Sequence, residues 1–130
     1  MDETVAKSRV LVIDDSAMVR RYIRDALERS RFEVQEAFNG VEAMERVLST
    51  RFDLLVVDVN MPKMDGYAFL HALRGREGEL ATIPALMTST EAGPQDMAAA
   101  YAAGANYYLV KPVSQDDLIR YANALTGHSP

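Results

Sequence analysis

The chain has 130 residues, enough for one domain with its own core and short for two. Its composition, 48% hydrophobic and 25% charged, is that of an ordinary globular protein and excludes a disordered chain. The absence of cysteine excludes a disulfide framework and a thiolate metal site, and a net charge of -5 offers no basic face for nucleic-acid phosphates. The longest uncharged run, Met97 to Val110, is interrupted by Gly104 and Asn106 and is too short to span a membrane. The opening Met1-Asp2-Glu3-Thr4 is acidic and polar, unlike a signal peptide, so a cytoplasmic location is expected.

In chain order, Arg9 to Ile13 is a short apolar run that reads as a strand, ended by Asp14-Asp15. Val19, Tyr22, Ile23, Ala26 and Leu27 then recur at helical spacing and predict a first helix with that inner stripe. Phe32 to Ala37 reads as a second strand. Asn39, with Glu42 three residues on, opens a second helix whose inner face is expected at Val41, Met44, Val47 and Leu48. Asp53 to Asp58 is apolar on both parities, as a strand buried on both faces would be. A third helix is expected from Gly66 to about Arg74, and a fourth strand over Ile83 to Thr88. Gly93-Pro94 sets proline at the first position of an alanine-rich helix running to about Ala103. Asn106 to Val110 is a fifth strand, and Ser114 with Asp117 caps a last helix striped by Leu118, Tyr121, Ala122 and Leu125.

Strict alternation of strand and helix predicts an α/β fold: a doubly wound, five-stranded parallel sheet with helices on both faces. Sites in such sheets gather at the carboxyl ends of the strands. There the sequence places Asp14-Asp15-Ser16, Asp58-Val59-Asn60, Thr88-Ser89-Thr90 and Val110-Lys111-Pro112. Carboxylates crowded together repel one another unless a cation or proton intervenes. Magnesium suits Asp14, Asp15 and Asp58, since it takes one or two carboxylates and leaves room for phosphate oxygens. Lys111 adds a point charge and Ser89 a hydroxyl, which together make a site for a phosphoryl group. Neither a P-loop nor a G-x-G-x-x-G turn is present. His71, mid-helix, and His128, in the tail, are poorly placed for chemistry.

These residues carry a family resemblance. The acidic pair Asp14-Asp15, the stretch Asp58-Val59-Asn60-Met61-Pro62-Lys63-Met64-Asp65-Gly66, Ser89, Ala103-Gly104-Ala105 and Lys111-Pro112 occur in the order seen in receiver domains of two-component response regulators. The chain resembles the single-domain, CheY-type members over about Arg9 to Leu125. The resemblance implies the flavodoxin-like (βα)5 fold, with a receiver over residues 8–126, flexible tails at 1–7 and 127–130, and no output domain.

It further implies that Asp58 accepts a phosphoryl group from the phosphohistidine of a sensor histidine kinase or a histidine phosphotransfer protein. Mg2+ would be held by Asp15, Asp58 and the main-chain carbonyl of Asn60, with Asp14 acting largely through water. Ser89 would be the switch hydroxyl, Lys111 the phosphoryl partner, Tyr108 the aromatic that turns inward, and Pro112 the cis position that aims the lysine. Counting back from Lys111 favours Ser89, with Thr88 the adjacent alternative. Thr90 is bulkier than the small residue usual after the switch hydroxyl and would narrow access. Asn60 and Glu91 match the positions that tune dephosphorylation, which implies a short-lived phosphoryl state.

The output surface would be the fourth helix, fifth strand and fifth helix, with Tyr101, Asn106, Tyr108 and Gln115 as candidates for contacting a downstream protein. Neither nucleic acid nor membrane is expected as a partner. Competing readings are an intermediate carrier in a multistep phosphorelay, a degenerate receiver that binds without phosphorylation, and an aspartate-nucleophile hydrolase. Asn60 argues against the last, because it stands where such enzymes carry a second acid.

Overall fold

The structure is a computed structural model that describes residues 7–127. The expectations for residues 1–6 and for His128 and its neighbours fall outside that range. The elements alternate as the pattern predicts: β1 Arg9–Ile13, α1 Ala17–Arg29, β2 Glu33–Ala37, α2 Gly40–Ser49, β3 Leu54–Asp58, α3 Gly66–Arg74, β4 Ala85–Ser89, α4 Pro94–Ala103, β5 Tyr107–Val110 and α5 Gln115–Thr126. A 3-10 turn, Gly78–Thr82, joins α3 to β4. The strands form one parallel sheet in the order β2-β1-β3-β4-β5. The chain steps outward from β1 to β2 and returns on the other side of β1 to β3. The switch point therefore lies between β1 and β3, where Asp14 and Asp58 end their strands.

Burial on both sides explains why the central strands are apolar at every position. Leu55, Val57, Ala85 and Met87 pack against α2, α3 and α4, whereas Leu54, Val56 and Leu86 pack against α1 and α5. Each helix begins at a residue suited to its first turn. Ser16, Asn39, Asp65 and Ser114 accept hydrogen bonds from the backbone N–H groups of Val19, Glu42, Ala68 and Asp117.

Two side-chain expectations fail. On α1, Tyr22 is largely exposed, although its hydroxyl donates to the Val113 carbonyl at 2.8 Å. On α2, Val41 and Leu48 are 44% and 52% exposed, and the buried residues are Gly40, Ala43 and Val47. The cause lies at the helix start. The Gly40 N–H donates to the Met64 carbonyl at 3.2 Å, and a Cβ on Gly40 would strike the Met64 backbone and side chain. That close approach seats positions 40, 43 and 47 on the sheet and turns 41 and 48 about one helical step outward.

Candidate functional site

The carboxyl ends of the strands hold a compact ionic cluster. Lys111, just past β5, donates from Nζ to Asp14 Oδ2 at 2.9 Å and to Asp58 Oδ1 at 3.0 Å. Because the strand order is β1-β3-β4-β5, its side chain reaches past the end of β4 to make these contacts. Asp14 and Asp58 are buried, whereas Asp15 is exposed at the mouth. One carboxylate oxygen from each of Asp14, Asp15 and Asp58 lies within 4.8 Å of the other two.

Local structure separates the roles of the paired acids. Asp14 is held on all sides: Oδ1 accepts from the Ser16 N–H at 2.9 Å, Oδ2 from Lys111, and its carbonyl from the Arg20 guanidinium at 2.7 Å. Arg20 is anchored in turn on Glu36 at 2.9 Å. Its anchoring role was not read from the sequence, since an arginine on a helix's polar side gives no signal of what it will reach. Ser16, not either aspartate, caps α1, which leaves Asp15 unengaged for a ligand.

The electrostatics are in conflict. Burial, and then the neighbouring Asp14 charge, push the Asp58 carboxyl up to about 6, although Lys111 pulls the other way. Burial opposes the Lys111 ammonium, but its hydrogen bonds to Asp14 and Asp58 prevail and hold it above its ordinary value. Three carboxylates face one lysine, so a divalent cation with oxygen ligands fits the donor set and would relieve the remaining repulsion.

Gly66 lets α3 start against this cluster. Its N–H donates to the Val59 carbonyl at 2.9 Å, and a Cβ there would collide with the Asp58 carbonyl oxygen. Asn60, two residues past Asp58, is exposed.

On β4, register pairs Thr88 with Asp58, so the two side chains share the α1/α5 side of the sheet. Ser89 falls on the opposite side with Met87 and Tyr108. Its hydroxyl accepts from the Glu91 N–H at 3.0 Å, and the Glu91 carbonyl accepts from the Tyr108 hydroxyl at 2.7 Å. Tyr108 is buried, with its ring in the core facing α3 and α4. Thr90 and Glu91 are exposed in the loop that follows. Thr90 lines an apolar cleft of about 500 Å3 with Met18, Tyr22, Lys111, Pro112 and Val113. The Lys111–Pro112 peptide is cis.

Of the residues expected on the output surface, Tyr101, Asn106 and Gln115 are exposed, whereas Tyr108 is buried. Asn106 is turned to other work at the opposite end of the sheet, where Oδ1 accepts from the Ala85 N–H at 2.9 Å. His71 is exposed on α3.

A doubly wound sheet with acids and a lysine at its switch point defines a class of small α/β domains. The comparisons narrow it. The family profile described as "Response regulator receiver domain" matches residues 10–123, and the chain belongs to that family, the receiver domains of two-component signalling. It is 38% identical over 125 residues to the transcriptional regulatory protein PrrA of Mycobacterium leprae, covering 96% of this chain and 52% of PrrA. It is 37% identical over 117 residues to the response regulator MprA of Mycobacterium tuberculosis, covering 90% of this chain and 50% of MprA. The chain thus spans about half the length of these curated relatives. Among solved structures, the chemotaxis response regulator CheY4 of Vibrio cholerae superposes with a TM-score of 0.86 at 33% identity, over 92% of this chain and 99% of CheY4. The receiver domain of the Francisella response regulator 1452 does so with a TM-score of 0.87 at 28% identity, over 95% and 100%. Among the described residues, no helix is long and apolar enough to cross a membrane.

Proposed function

We propose that this chain is a phosphoacceptor, with residues 8–126 as the receiver unit and Asp58 as the residue that takes the phosphoryl group. The observation that carries the reading is the convergence of Asp14, Asp15 and Lys111 on a buried Asp58 at the switch point. The donor would be a phosphohistidine of a sensor kinase or of a histidine phosphotransfer protein. An Asp58 oxygen attacks phosphorus and a P–O bond forms. The P–N bond breaks with its electron pair on the imidazole nitrogen, which becomes neutral imidazole on taking one proton from solvent. The reaction needs positioning and charge neutralisation more than a general base.

Asp15, Asp58 and the Asn60 carbonyl would hold Mg2+, with Asp14 acting through water, and the ion would supply positive charge beside the attacking and phosphoryl oxygens. This chain's own residues do the rest. Lys111, already fixed on Asp14 and Asp58, neutralises charge at the phosphoryl group. Ser89 lies one short relay from Tyr108 through Glu91, so moving its hydroxyl to a phosphoryl oxygen would disturb that relay. The change would pass to the surface of α4, β5 and α5, which would control a protein partner. Thr90 would limit access, and Asn60 and Glu91, exposed beside the cluster, would set how fast the group is lost by self-catalysed hydrolysis. A cytoplasmic site of action is part of this reading, because the sensor kinases that feed such domains present their phosphohistidine there.

The test is intact-mass spectrometry after incubation with acetyl phosphate and Mg2+. A single phosphoryl adduct is expected for the wild type, and none for Asp58→Asn or in EDTA. An adduct that survives Asp58→Asn would overturn the assignment.

A further inference from the structure

Thr88 is 1% exposed, and among the described residues its Oγ1 is a buried side-chain oxygen with no hydrogen-bond partner. Natural cores rarely leave such a group unpaired, and of the two such atoms among the described residues, Thr88 Oγ1 and Asn123 Oδ1, it is Thr88 whose strand neighbour is an acid of the ionic cluster. Register sets Thr88 directly beside Asp58 on the neighbouring strand and on the same side of the sheet. Lys111 passes over this end of β4 to reach Asp58 Oδ1 and Asp14 Oδ2. Asp58 Oδ2 receives no hydrogen bond from the described residues. An unpaired donor therefore sits next to an acid with an unpaired oxygen, beneath the lysine that would neutralise an added charge.

Asp58 is the last residue of β3, so a group added to it stands at the edge of the sheet, within reach of both faces. Ser89 approaches that edge from the Tyr108 side, and Thr88 from the α1/α5 side.

We infer that Thr88 is a second hydroxyl donor to the phosphoryl group on Asp58, unpaired in the empty domain and paired only in the loaded one. It is a positioning residue separate from Ser89, and it biases the domain toward the loaded state because its hydrogen bond exists only there. The inference rests on Asp58 being the phosphoacceptor.

Thr88→Val keeps the shape and removes the hydroxyl, whereas Thr88→Ser keeps the hydroxyl. Two quantities are measured for each: the melting temperature without metal or phosphoryl donor, and the affinity for beryllofluoride with Mg2+, a mimic of the phosphoryl group. Thr88→Val should melt no lower than the wild type when empty, since it removes an unpaired polar group. It should bind beryllofluoride about tenfold more weakly, on the scale of one hydrogen bond to a charged acceptor. Thr88→Ser should recover most of the affinity.

An unchanged affinity in Thr88→Val, or Thr88→Ser behaving like Thr88→Val, would overturn the inference. So would a lower empty-state melting temperature in Thr88→Val, because the hydroxyl would then already be paired. A wild type that takes neither beryllofluoride nor a phosphoryl group would overturn the phosphoacceptor reading itself, and this inference with it.

Discussion

The two ends of the sheet are built on opposite electrostatic terms. At the amino ends of β4 and β5 the half-buried guanidinium of Arg74 makes four hydrogen bonds. It donates to the carbonyls of Gly104 at 3.0 Å, Ala81 at 3.0 Å and Ile83 at 2.7 Å, and to Asn106 Oδ1 at 3.3 Å. At the carboxyl ends, two of three clustered carboxylates share one lysine, the third is unengaged, and a threonine hydroxyl has no partner. Around Arg74 the first end is held by hydrogen bonds that serve stability. The second holds clustered carboxylates whose mutual repulsion is only partly offset by Lys111. The contrast marks the carboxyl end as the candidate site without reference to any relative: it is the end where clustered acids leave repulsion that a cation would relieve.

Breaking the satisfied end should have the larger effect on stability. Arg74→Ala strips donors from three backbone carbonyls and releases the approach of the α4–β5 turn to α3. Leaving these part-buried acceptors without the guanidinium predicts a loss of about 3 kcal/mol. Arg74→Lys should recover little of it, since one ammonium cannot reproduce the fork. Denaturant unfolding checks the magnitude. The phosphoryl adduct at Asp58 should still form in any Arg74→Ala protein that remains folded, because the two ends share no groups.

Breaking the conflicted end should do the reverse. The Asp58 carboxyl stands at about 6 in the folded domain against an ordinary 3.8. Because the folded-state value is raised, ionising Asp58 removes stability as pH climbs from about 4 through about 6, and the deficit is complete above that window. The difference between the two values sets a ceiling of about 3 kcal/mol, and about 2 is a sensible expectation. Asp58→Asn should therefore raise the metal-free melting temperature at pH 7.5 by several degrees, and the advantage should fade as pH is lowered to 4.5. Millimolar Mg2+ should raise the wild type at pH 7.5 and leave Asp58→Asn nearly unmoved. An Asp58→Asn protein less stable than the wild type without metal would show that the acids are compensated and that the contrast between the two ends is false.

Much of the working end was legible in the sequence. Turn chemistry and apolar runs placed Asp14, Asp58 and Lys111 at strand ends, and alternation of strands with helices told which ends converge. The boundaries of β2, β3, β4 and β5 shifted by only one or two residues, as strand ends do when pairing partners are unknown. What stayed hidden depends on distances between segments remote in sequence. Arg74 read as nothing more than the end of a helix, and its four acceptors come from stretches up to 32 residues away. Thr88 differs from a buried valine by one oxygen, and that oxygen's lack of a partner is invisible until β3 and β4 are paired.

The misread face of α2 has the same origin and yields the smallest expected effects. The helix carries apolar residues on two adjoining stripes, Val41, Met44 and Leu48 on one, Ala43 and Val47 on the other. The expected face, Val41, Met44, Val47 and Leu48, mixed the two, and of these four only Val47 is fully buried. Close contact of Gly40 with Met64 selects the second, which is a tertiary choice. Substituting Leu48 by Ser should change stability by no more than about 0.5 kcal/mol, as for an ordinary surface position. Substituting Val47 by Ala should cost about 2 kcal/mol, since Val47 is 2% exposed and packs in the core against β1 and β3. Gly40→Ala should unsettle the choice itself. Its new methyl would push the start of α2 off Met64, and the penalty for Leu48→Ser should then grow in that background. A double-mutant cycle measures this directly: additive effects would mean that the Gly40 contact does not set which face of α2 is buried.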